Sequence, residues 1–293
     1  MSCVGVIGAG AMGMGVVRSL IRAGYDTHAR DIRVEAEREA AQLGATMHAS
    51  PAALAGACEL VIILVVDAPQ IETVLFGDGG AAPALTASSV VVLSSTISPE
   101  DVVAFARRLQ PTRAQVVDAP VSGGPRRASE GTMTIMAGGS SAALARCAPV
   151  FARIASRVFH VGQVGDGAKF KLVNNLLAAT NLAAGAEAFD LARAAGLDWR
   201  QVLDVVNASS GASWIVGDRM SRVLKDDYAP RAAARILAKD VTLACEWAAR
   251  LGIATPFGDA ARSAFRATVE DGYGEEDDAA IVKWRATRPR GPR

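Results

Sequence analysis

The chain has 293 residues, of which 51% are hydrophobic and 21% charged, and its net charge is +1. That length allows two domains with cores of their own, and that charge excludes recruitment of nucleic acid or an anionic membrane by a global field. No segment reaches the roughly 18 consecutive apolar residues of a membrane span, and the glycine-rich start, with no basic region before it, does not read as a signal peptide.

In chain order, strands are predicted over Cys3–Ile7, Asp26–Ala29, Leu60–Val65, Val90–Leu93, Gln115–Asp118, Thr132–Ala137 and Val158–Val161. Amphipathic helical stretches such as Gly13–Ala23 and Glu35–Leu43 lie between the early ones. This alternation predicts a mostly parallel sheet with helices on both faces. After Gly165 the pattern turns helical throughout, over Ala168–Ala195, Trp199–Ala208, Ile215–Lys225, Arg231–Leu251 and Thr255–Glu270. The boundary is expected in the glycine-rich turn Gly162–Gly167. Residues 1–164 then form an α/β Rossmann-type dinucleotide-binding domain, and a long helix opens an all-α domain over residues 165–293. The Arg/Pro-rich end, Lys283 to Arg293, is expected to be a disordered tail.

Gly8-Ala-Gly10-Ala-Met12-Gly13 follows the first strand and opens a helix, the context that gives a Gly-x-Gly-x-x-Gly its meaning. Gly8 permits the turn, Gly10 the approach of a pyrophosphate, and Gly13 close helix–strand packing. The helix N-terminus offers free N–H groups to phosphate. Asp31 closes the second strand about twenty residues on, where an acid accepts from the adenosine ribose hydroxyls and repels a 2′-phosphate. NAD is therefore expected over NADP, although Arg30 and Arg33 flank the acid. Met12 and Val66 are also assigned to the cofactor site.

Of 31 basic residues only five are lysines: Lys169, Lys171, Lys225, Lys239 and Lys283. An amine can exchange a proton where a guanidinium cannot. Lys171 stands in Gly165-Asp-Gly-Ala-Lys-Phe-Lys-Leu-Val-Asn-Asn175, one helical turn before Asn175 and on the same face. The four cysteines (Cys3, Cys58, Cys147, Cys245) lie far apart, with neither metal-ligand spacing nor a disulfide pattern. The three histidines (His28, His48, His160) lack nearby metal-type partners. No metal site is expected, and a reduced, cytoplasmic setting fits.

The glycine motif, Asp118-Ala-Pro-Val-Ser-Gly-Gly124, the Lys171/Asn175 segment and Lys239-Asp240 together resemble the β-hydroxyacid dehydrogenases, the group that contains 3-hydroxyisobutyrate dehydrogenase and tartronate semialdehyde reductase. The resemblance runs from Val4 to about Trp284, with the motifs in family order. It implies a 6-phosphogluconate dehydrogenase-like plan, homodimers or homotetramers, and a small hydroxy-acid substrate. It also implies a substrate carboxylate held by Ser122, Gly123 and Gly124, with Lys171 as catalytic proton carrier and Asn175 as its partner. Lys239 would lie near nicotinamide and substrate, and Thr96 beside the nicotinamide. Val65-Val-Asp-Ala-Pro-Gln70, Leu75-Phe-Gly77, Ser210-Gly-Ala-Ser-Trp214 and Glu276-Asp-Asp-Ala-Ala-Ile-Val-Lys283 are similar to the L-threonate dehydrogenase branch. In that branch Ser213 and Trp214 would line the pocket; otherwise Trp214 is a core aromatic. Competing readings are phosphogluconate decarboxylation, reduction of a semialdehyde or imine, and a catalytically silent NAD-binding module. The first expects Lys-x-x-His-Asn where this chain has Lys171-Leu-Val-Asn174-Asn175, and imine reductases usually replace the lysine.

Overall fold

The computed structural model describes residues 3–287. The chain divides into two compact units that meet inside one helix, the first running through Lys171 and the second starting at Leu172.

The first unit alternates strand and helix: β1 (Cys3–Ile7), α1 (Ala11–Arg22), β2 (Asp26–Arg30), α2 (Val34–Gln42), β3 (Thr46–Met47), α3 (Pro51–Ala57), β4 (Leu60–Ile63), α4 (Ala68–Phe76), β5 (Val90–Leu93), α5 (Pro99–Leu109) and β6 (Gln115–Asp118). It continues with β7 (Val121–Ser122), α6 (Gly124–Glu130), β8 (Met133–Gly138), α7 (Ser141–Ile154), β9 (Ala155–Gly162) and the start of α8 (Asp166–Ala194). Helix starts follow local chemistry. Ser50 and Ser98 accept from the backbone N–H three residues on, each followed by a proline at the first helical position.

Strand order is β3-β2-β1-β4-β5-β6-β8-β7, with β9 on β8. The first six strands pair in parallel, and β8 runs antiparallel to β6 and β7. Two short strands, β3 and β7, escaped the sequence pattern because two residues hold no alternation. Burial alternates along the central strands. Val4 and Val6 of β1, Leu60 and Ile62 of β4, and Val90 and Val92 of β5 enter one core with α1 and α7. Their neighbours Ile7, Val61, Ile63, Val91 and Leu93 enter a second core with α3, α4 and α5. Both faces are thus covered, as a parallel sheet requires.

The same pairing overturns the expectation that the cysteines and histidines lack partners. Because β1 and β4 are adjacent and parallel, Cys3 and Cys58 arrive at the same end of the sheet, bonded as a disulfide across 55 residues of chain with Cα atoms 5.2 Å apart. His28 of β2 and His48 after β3 stack with ring centroids 4.9 Å apart, Nδ1 of the first lying 2.7 Å from Nε2 of the second. Spacing along the chain could not reveal either contact, since both are made between strands.

The second unit holds the rest of α8 and α9 (Trp199–Asn207), α10 (Trp214–Val223), α11 (Ala234–Arg250), α12 (Pro256–Thr268) and α13 (Ile281–Ala286). Phe189, Met220, Val241, Phe265 and Ile281 lie in its core. Beside them a buried ion cluster ties α10 to the segment before α13. The Arg219 guanidinium reaches both oxygens of Asp278, at 2.5 and 2.9 Å, while Arg222 pairs with Asp277 at 2.9 Å. Lys283 and Arg285 belong to α13 and pair with Glu276 and Glu187, which corrects the reading of a disordered tail from Lys283; residues 288–293 lie outside the described residues. Trp214 is 54% exposed at the start of α10, so it is not a core aromatic. Among the described residues no helix is long and apolar enough to cross a membrane.

The ion cluster yields a stability test. Asp278→Ala leaves a buried guanidinium without its bidentate partner, and should destabilise the protein by about 3 kcal/mol. Denaturant unfolding would read this loss, and a change under about 0.5 kcal/mol, ordinary for surface sites, would show the pair to be dispensable.

Candidate active site

The glycine turn sits at the carboxyl ends of β1 and β4, where strand order reverses, which is where open α/β sheets bind dinucleotides. Gly8 has φ +93°, and a Cβ there would lie 2.8 Å from the Leu64 carbonyl group. A Cβ on Gly13 would come 1.9 Å from the Gly8 carbonyl oxygen. Gly10 differs: a Cβ there would meet only the end of the Arg33 side chain, at 3.7 Å. Gly10 also begins α1 with no side-chain cap. The first turn of α1 therefore keeps its N–H groups for a ligand rather than a side chain. A cleft of about 350 Å³ opens here, lined among others by Gly10, Arg33, Glu35, Glu39, Pro125 and Ser129. A bare helix start, a glycine cradle and an adjoining cleft fit the pyrophosphate and adenosine portions of a dinucleotide. Met12 packs partly buried against the neighbouring core. The Val66 N–H donates to Gln70 Oε1 at 3.0 Å, and Thr96 lies in the loop between β5 and α5.

Asp31, just after β2, is buried. Its Oδ1 accepts from the Arg33 N–H at 2.9 Å and from Arg33 Nε at 3.1 Å. That hydrogen bond holds the Arg33 guanidinium above its ordinary pKa. Arg30 pairs instead with Glu37. Both arginines beside the acid are thus turned to carboxylates of the protein.

The second cluster in this unit forms around β6, β7 and the start of α8. β6 and β7 run along β8 in one unbroken register (Asp118↔Gly138, Val121↔Ile135, Ser122↔Thr134). Gly123 (φ +132°) and Gly124 (φ +73°) then turn the chain into α6. This helix is locked to α1: a Cβ on Gly15 would lie 2.6 Å from the Ala128 Cβ, and Ser19 Oγ donates to the Ala128 carbonyl at 2.6 Å. The Ser122–Gly124 turn is thereby attached to the helix that carries the glycine motif. Lys171, 8% exposed, donates from Nζ to the Val121 carbonyl at 2.7 Å.

Asp118 is the residue whose part sequence reasoning missed. Its Oδ2 accepts from the Gly165 N–H at 3.1 Å and the Ala168 N–H at 2.8 Å, pinning the first turn of α8 to the end of β6. Gly167 must be small there, since its Cβ would fall 2.5 Å from the Met136 carbonyl oxygen and 2.7 Å from that of Asp118. The available signal was an acid directly after two buried-type valines at the end of the strand Gln115-Val-Val-Asp118. In the second unit, Asn175 Nδ2 donates to Asp240 Oδ2 at 2.7 Å and Asn175 Oδ1 accepts from Asn174 at 3.0 Å. Lys239 Nζ lies 2.7 Å from Asp240 Oδ1. Asp240, quoted in the motif without a role, is what joins Asn175 to Lys239. Ser213 caps α10 by accepting from the Val216 N–H.

Residues 3–162 match the NAD-binding domain of 6-phosphogluconate dehydrogenase, and residues 165–285 match the NAD-binding region of NADP-dependent 3-hydroxyisobutyrate dehydrogenase. The L-threonate dehydrogenase of Cupriavidus necator is 41% identical over 281 residues, which cover 96% of this chain and 95% of that one. This chain belongs to the β-hydroxyacid dehydrogenase family. The L-threonate dehydrogenase of Escherichia coli K12 is 39% identical over 96% of this chain and 93% of its own. The solved structure of a 3-hydroxyisobutyrate dehydrogenase from Salmonella typhimurium superposes with a TM-score of 0.89 at 39% identity, covering 97% of this chain and all of that one. As a member of the family the chain is an NAD(P)-dependent dehydrogenase, with the Rossmann-type sheet and helical second domain the sequence predicts.

Burial pushes the Asp118 carboxyl up to about 7, against the lowering effect of the backbone N–H groups that it accepts from. Oδ1, which is buried and has no hydrogen-bond partner, is the oxygen left to carry the proton. The folded state then holds a proton that the unfolded chain releases between about pH 4 and 7, so this group's contribution to stability falls as pH rises through that window. In Asp118→Asn that fall should disappear, making the thermal midpoint less pH-dependent than in the wild type. Parallel wild-type and variant profiles would contradict it.

Proposed function

We propose that this dehydrogenase oxidises the 2-hydroxyl of a four-carbon sugar acid of the L-threonate type, with NAD as acceptor and Lys171 as proton carrier. The observation that carries the reading is the buried Lys171 amine, held 2.7 Å from the Val121 carbonyl, one residue before Ser122-Gly123-Gly124. An amine, unlike a guanidinium, can take the proton of a substrate hydroxyl and return it in the reverse reaction. The Ser122 hydroxyl and the N–H groups of Gly123 and Gly124 would hold the substrate carboxylate in a small anion nest. The bound nicotinamide supplies the two-electron acceptor for oxidation and the donor for the reverse reaction. Asn175 and Lys239 enter through the family motif, Asn175 orienting substrate and Lys239 supplying positive charge. The identity to two L-threonate dehydrogenases supports the substrate.

NAD is favoured over NADP because an acid, Asp31, closes the second strand, Glu35 and Glu39 line the cleft, and Arg30 and Arg33 are engaged by Glu37 and Asp31. Thr96 keeps its assignment beside the nicotinamide through the family pattern, and Val66 its assignment to the cofactor site. Homo-oligomerisation is part of the reading: Phe170, Val173, Leu177 and Leu191 of α8 are more than half exposed, an apolar row that a second copy would cover. A cytoplasmic location goes with it.

NAD reduction should be measurable with L-threonate and should outpace glycerate, 3-hydroxyisobutyrate and 3-hydroxypropionate. In Lys171→Ala turnover should fall by about 10²- to 10⁴-fold, and Lys171→Arg should not restore it, since a guanidinium stays protonated. Wild-type turnover in either variant would sink the proton-carrier role, and a preference for 3-hydroxyisobutyrate would replace the substrate. For the cofactor, Asp31→Ala should weaken NAD binding about tenfold, the loss of one or two charge-assisted hydrogen bonds. A wild-type enzyme that prefers NADP would reverse the assignment.

A further inference from the structure

The sheet has a second cluster of chemically active side chains, at the end opposite the glycine turn. Cys3 opens β1, and Cys58 stands just before β4, the neighbouring strand. His28 sits on β2 directly across from Gly5. A Cβ on Gly5 would lie 3.5 Å from the Cys58 Cβ, so Gly5 and Cys58 meet on one face of the sheet. Cys3 and Gly5 are two residues apart on β1 and point the same way, as do Asp26 and His28 on β2. As a result the two sulfurs and a ring nitrogen of His28 all lie within 4.8 Å of one another.

We propose that Cys3, Cys58 and His28 form a binding site for a thiophilic divalent cation, zinc by preference, when the disulfide is reduced. A dithiol reductant donates two electrons and two protons to the Cys3–Cys58 bond, giving two thiols and the reductant's own disulfide. Both thiols release their protons as the cation binds, and two Sγ–metal bonds take the place of the S–S bond. Two thiolates and an imidazole are the donor set zinc selects.

The surroundings of His28 suit that task. Its Nδ1 is engaged by His48 at 2.7 Å, which fixes the ring and leaves Nε2 for the metal. Asp26 Oδ1 is 3.3 Å from Nε2 on a largely exposed side chain, close enough to supply the fourth ligand or to hold a water that does. The site belongs to the first unit alone. It lies a strand's length from Gly8, about 16 Å at the rise of an extended chain, so it does not draw on the dinucleotide turn.

The test uses the full chain, reduced with a phosphine and stripped by a chelator, then titrated with Co²⁺ as a spectroscopic stand-in and with Zn²⁺ in competition with a chromogenic chelator. The expected result is one tight site per chain, with the visible bands of a tetrahedral thiolate cobalt complex. Cys58→Ser and Cys3→Ser should abolish those bands, and His48→Ala should weaken binding about 10- to 100-fold. Cys147→Ser should leave them intact. Either cysteine variant counts once retained NAD binding shows that it is folded. Treatment with oxidised glutathione should release the cation, and Zn²⁺ should raise the thermal midpoint of the reduced protein only. Bands that survive in both cysteine variants, disappear in Cys147→Ser or never form in the reduced wild type would overturn the proposal, as would retention of the metal after oxidation.

Discussion

The position of the Lys171 amine depends on a buried carboxyl at the end of a neighbouring strand. Asp118 ends β6 and accepts from two backbone N–H groups at the start of α8, and Lys171 stands on that first stretch of helix. Removing an acid from water is costly, and the rise of its pKa to about 7 records that cost. The two backbone hydrogen bonds offset part of it and fix where α8 begins. Gly167 completes the junction, because any larger residue would strike the carbonyls of Met136 and Asp118. With the helix start fixed, the Lys171 side chain reaches the Val121 carbonyl and its Nζ is held.

A second constraint joins the dinucleotide turn to the Ser122–Gly124 turn. Gly15 lets α6 approach α1 at a distance no side chain would permit, and Ser19 bonds the Ala128 carbonyl across the contact. A reaction that moves a hydride needs donor and acceptor carbons held to within a fraction of an ångström. Rigid packing of these two helices, rather than a flexible loop, is how this unit holds the two turns in fixed relation. The parallel sheet gives each unit of sequence two ends: carboxyl ends carry Gly8 and Thr96, while amino ends gather Cys3, Cys58 and His28.

Most of the strand–helix alternation was legible because both faces of the sheet are buried, which forces apolar runs such as Val90–Leu93 and leaves glycine and serine at their ends. The glycine motif, Asp31 and Lys171 were legible for another reason: each is a residue type whose chemistry is unusual at its place. Gly15, Ser19 and Asp118 were not. Small or polar residues occur throughout helices and at the ends of strands, and what makes these matter is the partner 109 residues away for Ser19 and 50 for Asp118. The disulfide and the His28–His48 pair were misread for the same cause.

The sequence alone determined the order of elements, the helical second half and the family, since these depend on local periodicity, on side-chain type and on the order of motifs. Only the tertiary structure decided which side chains meet: Lys171 with Val121, Asn175 with Asp240, Arg33 with Asp31, and Cys3 with Cys58. The physical reason is that strand pairing and helix packing act between residues remote in the chain. A hydrogen bond or a disulfide depends on the distance those contacts set, to within an ångström, which no local pattern encodes.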